Sequence, residues 1–466
     1  MFPIRDVLHA LAPLNVQAPR LEGAPEGFSA VRIDSRTVGP GDLFIALPGE
    51  QSDGHRYLHD AVARGARGVI VVPQRLPAEA GPFPDGVAVF PVRDTLQALQ
   101  ALAACWRSRF TGVQVTGVTG SVGKTSTKEA VAAVIGQRYR VLKNEGNQNN
   151  EVGLPLTLLC LDGTQERAVL EMGMYTLGEI ALLCELARPS IGVVTNVGPV
   201  HLERLGTIER IAQAKRELPE RLPAEGVAVL NGDDPRVRAM AQHTPAGRVL
   251  YYGLGSGCDV RATDLEPAGL AGFAFRLHWE GQARRVQTRL LGAHHVMTCL
   301  AAAAVGFAEG LDWDEVTAGL TAVEDRVRTQ VRPGLGGSTI IDDTYNASPA
   351  SVLAALDLLR HTETGRRIAV LGDMRELGSY EEEGHREVGR RAAAVADWLV
   401  AVGERGRTIG EEARRCGSLR VDWAATNEEA ADLLASALGP RDVVLVKGSR
   451  GMAMEQVVAR LIRTED

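Results

Sequence analysis

The stretch VTGSVGKTSTKEA, residues 118–130, is the densest chemistry in the chain. An apolar segment runs into Gly120 and Gly123, which are followed by Lys124, Thr125 and Ser126. Glycines at such positions allow a tight turn and the close approach of an anion. A helix is predicted from Lys124. Its first backbone N–H groups would face that anion, and its dipole would favour negative charge. Lys124 can reach terminal phosphates, and Thr125 can place its hydroxyl on Mg²⁺. The usual G-x-x-x-x-G-K-[ST] loop needs a glycine where this chain has Val118. The sequence therefore predicts a nucleotide site, with Gly120, Ser121, Val122, Gly123, Lys124, Thr125 and Ser126 around the phosphates. It does not predict a GTPase or a motor ATPase. The competing reading, a surface turn with a solvated lysine, is disfavoured by strand, glycines and helix standing in register.

Further chemistry sits where an open parallel sheet collects ligands, at the C-terminal ends of its strands. Glu171 ends the predicted strand RAVLEM, and His201 follows IGVVTNVGPV. Glu171 offers hard oxygen for Mg²⁺; a neutral His201 nitrogen is a less usual ligand that fits a second metal. Taken singly, each is more often a surface acid or a loop histidine. Lys215 lies in the amphipathic stretch IAQAKRELPERL, where a solvated helix lysine is the ordinary reading.

The elements that must position these residues alternate. VQVTGV, RAVLEM, IGVVTNVG and GVAVLN read as strands, with helices between them, which predicts a mostly parallel sheet covered by helices. Residues 298–310, TCLAAAAVGFAEG, predict a small-residue helix packed close to another element. Before this region, residues 1–93 form a first unit, and its Pro-rich stretch 73–91 predicts surface loops. From 326 onward, STIIDD, RIAVLGD, WLVAVG and DVVLVKG alternate with helices in a second doubly wound domain. It lacks G-x-G-x-x-G after its first strand, so a nicotinamide cofactor is not predicted. The fold class is α/β in three domains, 1–93, 94–325 and 326–466.

The bulk numbers exclude several classes. The chain has 466 residues, 45% hydrophobic and 23% charged, with a net charge of -7. That balance gives no reason to expect nucleic acid. No stretch reaches the length of a membrane span, and the start lacks the pattern of a signal peptide, so a cytoplasmic chain is predicted. The six scattered cysteines, with no C-x-x-C, read as reduced and mostly buried thiols.

Taken together, the motifs resemble the Mur ligases, ATP-dependent amide-forming enzymes of peptidoglycan synthesis. The family's T-G-[ST]-x-G-K-[ST] loop is matched by Thr119–Thr125, so the displaced glycine is the family's own pattern. NQNNEVGLPLTLL (147–159), EMGMYTLGEI (171–180), TNVGPVHLERLGTIERIAQAKREL (195–218) and NGDDP (231–235) follow in family order. DSRTVGPGDLFIALPGEQSDGH (34–55) resembles the family's uridine-nucleotide-binding domain. DDTYNASPASVLAAL (342–356), LGDMRELG (371–378) and VKGSRGMAME (446–455) resemble the member that adds D-Ala-D-Ala, and no D-N-P-R of the diaminopimelate-adding member occurs.

The resemblance implies a small uridine-nucleotide domain, a central P-loop ATPase-like domain and a C-terminal Rossmann-like domain that receives the amino substrate. It implies that the chain adds D-Ala-D-Ala to UDP-MurNAc-tripeptide through an acyl phosphate, working as a monomer with ATP and two Mg²⁺ ions. Lys124, His201 and Lys215 would be catalytic. Thr125, Glu171, His201 and a CO₂-derived carbamate on Lys215 would bind metal. Arg326, within EDRV, would contact the nucleotide. Ser35, Arg36, Asn150, Asp343 and Asn346 would bind the other substrates. One segment departs from the family: G-x-H-N-x-x-N appears as GAHHVMT (292–298), with His295 and Thr298 in place of both asparagines. The alternatives are a nucleotide-binding pseudoenzyme and the member that adds the third stem residue.

Overall fold

The computed structural model describes residues 1–49, 52–77, 81–200, 202–323, 329–363 and 365–463. The chain forms two compact units. The first takes in Met1–Val115, Arg140–Met172 and Ala181–Pro189, and the second takes in Thr116–Tyr139, Gly173–Ile180 and Ser190–Asp466.

In the first unit a four-stranded parallel sheet runs in the order Val31–Arg32, Leu43–Ile45, Gly68–Val71, Ala88–Pro91. Its strands are short, Phe44 and Phe90 are buried within them, and Phe28 is buried beside Gly68. The sequence predicts surface loops over the Pro-rich stretch 73–91, and the structure corrects this at the stretch's end. Its last four residues are the buried edge strand Ala88–Pro91. An edge position at a strand's end tolerates the missing N–H of Pro91. The helix Thr95–Ser108 starts where Asp94 accepts hydrogen bonds from the Leu96 and Gln97 amides. Strands Val141–Lys143 and Arg167–Glu171 pair in parallel in the same unit.

In the second unit, residues 116–119 pair in parallel with Ile191–Val194, and Val227–Asn231 and Arg248–Gly253 extend the parallel order. Beyond them Val260–Pro267, Phe273–Trp279 and Gln282–Thr288 form an antiparallel edge. The sequence reading assigned nothing there. Its tight turn is Glu280–Gly281, both residues at positive φ (47° and 77°), the geometry a two-residue hairpin requires.

The small-residue helix is Val296–Ala308, and Cys299–Val305 are wholly buried on the helix Lys124–Ile135. A Cβ on Gly306 would stand 2.7 Å from a Val134 methyl, which is why small residues are needed. The unit's other sheet runs in the order Gln330–Pro333, Thr339–Asp342, Val443–Lys447, Arg367–Leu371, Trp398–Val402, Arg420–Ala424, parallel except for its first strand. Apolar clusters cover both of its faces, as in a doubly wound fold. Of the six cysteines three are buried, fewer than the sequence predicts.

Candidate active site

The phosphate loop follows the strand Gln114–Thr119 and ends at the helix Lys124–Ile135. Gly123 is the helix N-cap, left-handed at φ 84°, and a Cβ there would meet nothing within 4 Å. That open space beside the helix start is the cradle a phosphate needs, since the first amides have no acceptor in the helix's own ladder. Gly120, at φ 150°, is the opposite case. A Cβ there would lie 1.8 Å from the Thr195 hydroxyl.

Residues 195–198 hold the loop in shape. The Val122 amide donates to Asn196 Oδ1 (2.9 Å), and the Val122 carbonyl accepts from Thr195 Oγ1 (2.7 Å) and Asn196 Nδ2 (2.9 Å). Ser121 exchanges hydrogen bonds with Gly198. Lys124 Nζ rests on the Gly120 and Ser121 carbonyls, at 2.9 and 3.4 Å. Two substitutions separate the roles of the glycines. Gly120→Ala should cost about 2–4 kcal/mol of stability, because a hydroxyl and backbone must move. Gly123→Ala should cost only about 1 kcal/mol yet weaken nucleotide binding by crowding the cradle. Urea unfolding and nucleotide titration of both variants check this.

Thr125 is buried behind Lys124. Lys215 lies on the helix Ile208–Glu220, which Thr207 caps by accepting from the Arg210 amide. Its side chain is only 2% exposed, against the solvated lysine that composition favours. Burial first, and the charge of Lys124 second, pushes its amine well below the ordinary value.

A cavity of about 520 Å³ opens beside the loop. Val122, Gly123 and Ser126 line it on one side, and His295 and Thr298 line another part. His295 Nδ1 and Thr298 Oγ1 stand 3.4 Å apart, both buried. Beside them burial, with the charges of His295 and Lys447, pushes His294 well below the ordinary imidazole value, so the ring is neutral. At the far side Asp343 Oδ2 pairs with Lys447 Nζ at 2.7 Å.

The structure thus gathers residues 120–126, Lys124, Lys215 and Asp343 in the second unit. Asn346 stands on the Asp343 loop. Its Oδ1 accepts from the Ala347 and Arg450 amides, at 2.9 and 3.3 Å. In the first unit Glu171 is buried, and its Oε1 accepts from Asn149 Nδ2 at 2.8 Å. Asn150 Oδ1 accepts from the Val152 and Gly153 amides and shapes the turn into the helix Gly153–Leu158. Ser35 is buried, while the exposed Arg36 lies along Asp34, whose carboxyl it holds down at about 2. His201 and Arg326 lie outside the described residues. Sequence reasoning passed over Asn149, Asn196 and Lys447. All three stand inside stretches already singled out: Asn149 one place from Asn150, Asn196 just past a strand end, and Lys447 within VKGSRGMAME.

Comparison with known proteins finds similarity along most of the chain. The family model described as Mur ligase middle domain matches residues 118–306. The Mur ligase glutamate ligase domain matches 327–450, and the Mur ligase family catalytic domain matches 28–107. The UDP-N-acetylmuramoyl-tripeptide--D-alanyl-D-alanine ligase of Synechocystis is 39% identical over 92% of this chain and 91% of its own. MurF from Acinetobacter baumannii superposes with a TM-score of 0.85 at 28% identity, covering 98% of each chain. MurF from Thermotoga maritima, solved in complex with ADP, has a TM-score of 0.79 at 31% identity, over 92% of this chain and 96% of that one.

Proposed function

Because this chain belongs to the Mur ligase family, we propose that the cavity beside residues 120–126 is its active site. The activity is that of an ATP-dependent amide ligase, which adds D-Ala-D-Ala to UDP-MurNAc-tripeptide in peptidoglycan precursor synthesis. One observation carries the site assignment: the phosphate loop and the Asp343–Lys447 pair, from the ends of different sheets, line the same cavity.

The tripeptide's terminal carboxylate attacks the γ-phosphorus of ATP, an O–P bond forms, and ADP leaves. The dipeptide amine then attacks the acyl carbon, loses a proton and displaces inorganic phosphate. Lys124 sits where it can offset charge on the transferring group. Residues 195–198 keep the loop from collapsing into the cavity, so that positioning costs nothing at the moment of reaction.

The donor types suit Mg²⁺: the second unit offers the buried hydroxyl of Thr125, and the first unit offers the buried carboxylate of Glu171, fixed by Asn149. When bound, the metal neutralises the phosphate oxygens that the substrate carboxylate must approach. Lys215 fits a carbamate, which forms only on a neutral amine, and burial, with the charge of Lys124 second, shifts its amine toward that form. His201 joins this set and Arg326 the nucleotide contacts through the motif positions they occupy. Ser35 and Arg36 are assigned to the uridine nucleotide, Asn150 to the muramyl substrate, and Asp343 and Asn346 to the dipeptide. We keep the division 1–93, 94–325 and 326–466 as the functional one, in a cytoplasmic monomer.

Phosphate release from ATP with UDP-MurNAc-tripeptide, with and without D-Ala-D-Ala, tests the activity. Release that needs both substrates, with a product heavier by one dipeptide, is expected. Tight ATP binding with no release on any stem tripeptide would sink it. The His295–Thr298 pair adds a prediction on nucleotide choice. An imidazole nitrogen donates or accepts by tautomer, and a hydroxyl does both. An asparagine's polarity is fixed by its orientation. GTP should therefore support turnover within about tenfold of ATP, and the double variant His295→Asn, Thr298→Asn should widen that gap. Comparing kcat/KM for the two nucleotides decides it.

A further inference from the structure

The motif NGDDP (231–235) stands two strands away from the phosphate loop. Thr119, Val194, Leu230 and Tyr251 form one row across four parallel strands. By the same register the next row, at the C-terminal edge, is Gly120, Thr195, Asn231 and Tyr252. Ligands of open parallel sheets collect at that edge.

The segment 194–197 is bonded on both sides within this row. Toward the phosphate loop, Asn196 Oδ1 accepts the Val122 amide at 2.9 Å, and the Asn196 carbonyl accepts the Ser121 amide at 3.0 Å. Away from it, the ends of the two next strands hold its backbone. Asn231 Nδ2 donates to the Thr195 carbonyl at 2.7 Å, and the Tyr252 hydroxyl to the Val194 carbonyl at 3.1 Å. The Val197 amide donates to Asp234 Oδ2 at 2.8 Å.

Asp234 uses its two oxygens differently. Oδ1 accepts from the Arg236 and Val237 amides, at 2.9 and 3.4 Å, and caps the short helix Pro235–Arg238. One side-chain oxygen is enough for such a cap, and serine or asparagine serves as well as aspartate. The second oxygen, on the Val197 amide, is what an ordinary cap does not need. Its bond also bears on a tight place. A Cβ on Gly120 would lie 1.8 Å from the Thr195 hydroxyl, so a shift of 195–197 passes directly to the phosphate loop.

We propose that Asp234 is a positioning residue for phosphoryl transfer: through the Val197 amide it fixes the turn 195–198, and through Asn196 it fixes the Val122 peptide of the phosphate loop. The inference rests on the ligase reading of the cavity. Loop donors fixed in advance need no rearrangement as charge develops on the transferring group.

Asp234→Ser separates the two bonds, because serine caps the helix and is too short to hold the Val197 amide as well. It should melt within about 3 °C of wild type. Its kcat for dipeptide-dependent phosphate release should fall about 10- to 100-fold, with KM for D-Ala-D-Ala within about twofold. Hydrogen exchange at the Val122 amide should quicken about tenfold or more, with the helix Lys124–Ile135 unchanged. The double variant Asp234→Ser, Asn196→Ala should be no slower than Asn196→Ala alone, because the two residues act in series. If the serine variant does not fold, Asp234→Asn is read in the same way, since it keeps the shape and has one acceptor for two duties. Wild-type kcat and wild-type Val122 exchange in the capped variant would make Asp234 a helix cap and nothing more. That result, or additive losses in the double variant, would overturn the inference and leave the ligase reading standing. A wild-type protein without dipeptide-dependent phosphate release would overturn both.

Discussion

Replacing Lys124 with methionine should lower dipeptide-dependent phosphate release by about a thousandfold or more, with the fold intact. Its ammonium rests on the Gly120 and Ser121 carbonyls of its own loop, at 2.9 and 3.4 Å, and methionine keeps the length of the side chain while removing the charge. The helix ladder is untouched, since Thr127 bonds back to the Gly123 carbonyl. What is lost is a cation at the place where phosphoryl charge moves, and that loss falls mainly on kcat. A second effect follows from the charge of Lys124, the lesser cause that pushes the Lys215 amine down. Removing it should raise the Lys215 pKa, while burial, the larger cause, still holds it below the ordinary value. Fewer amines are then neutral, and bicarbonate should be needed at higher concentration for the same rate. Initial rates across a bicarbonate series, with circular dichroism melts, check both parts. A variant within tenfold of wild-type turnover would remove Lys124 from the chemistry.

How far the sequence could go depended on how local each signal was. Gly120, Gly123 and Lys124 are readable because backbone conformation decides them, and backbone conformation is written in a few adjacent residues. The crowded helix Val296–Ala308 was readable for a similar reason, a run of small residues with nothing polar. The antiparallel edge was not. Gln282–Thr288 is mostly exposed and polar, and its turn is Glu-Gly rather than the stronger Asn-Gly signal. Glu171 was legible as a strand-end acid, but its partner was not, since Asn149 meets it only across 22 residues of sequence. Lys447 was least legible of all. It stands 104 residues from Asp343, and nothing short of the Asp342–Val446 register places the two together. Burial likewise separates Lys215 from the many solvated lysines it resembles in composition.

That burial leads to the second large effect. Lys215→Met should abolish turnover, by about a thousandfold or more, and at the same time stabilise the protein when no CO₂ is supplied. The Lys215 amine is held well below its ordinary value, chiefly by burial and then by Lys124. Between its folded and unfolded values the unfolded chain binds the extra proton, so wild-type stability rises with pH across that window and is lowest below it. Methionine fills similar space without this penalty. The stability gap between variant and wild type should therefore be widest at low pH and shrink as pH climbs toward the ordinary lysine value. Bicarbonate should narrow the gap as well, because a carbamate stabilises only the wild type. Melts over a pH series with and without bicarbonate measure this, and ¹³C-bicarbonate should give a carbamate resonance in wild type that Lys215→Met lacks. A wild-type protein indifferent to bicarbonate in both melting and rate would leave Lys215 a buried amine with no carbamate, and the metal site would then need another oxygen donor.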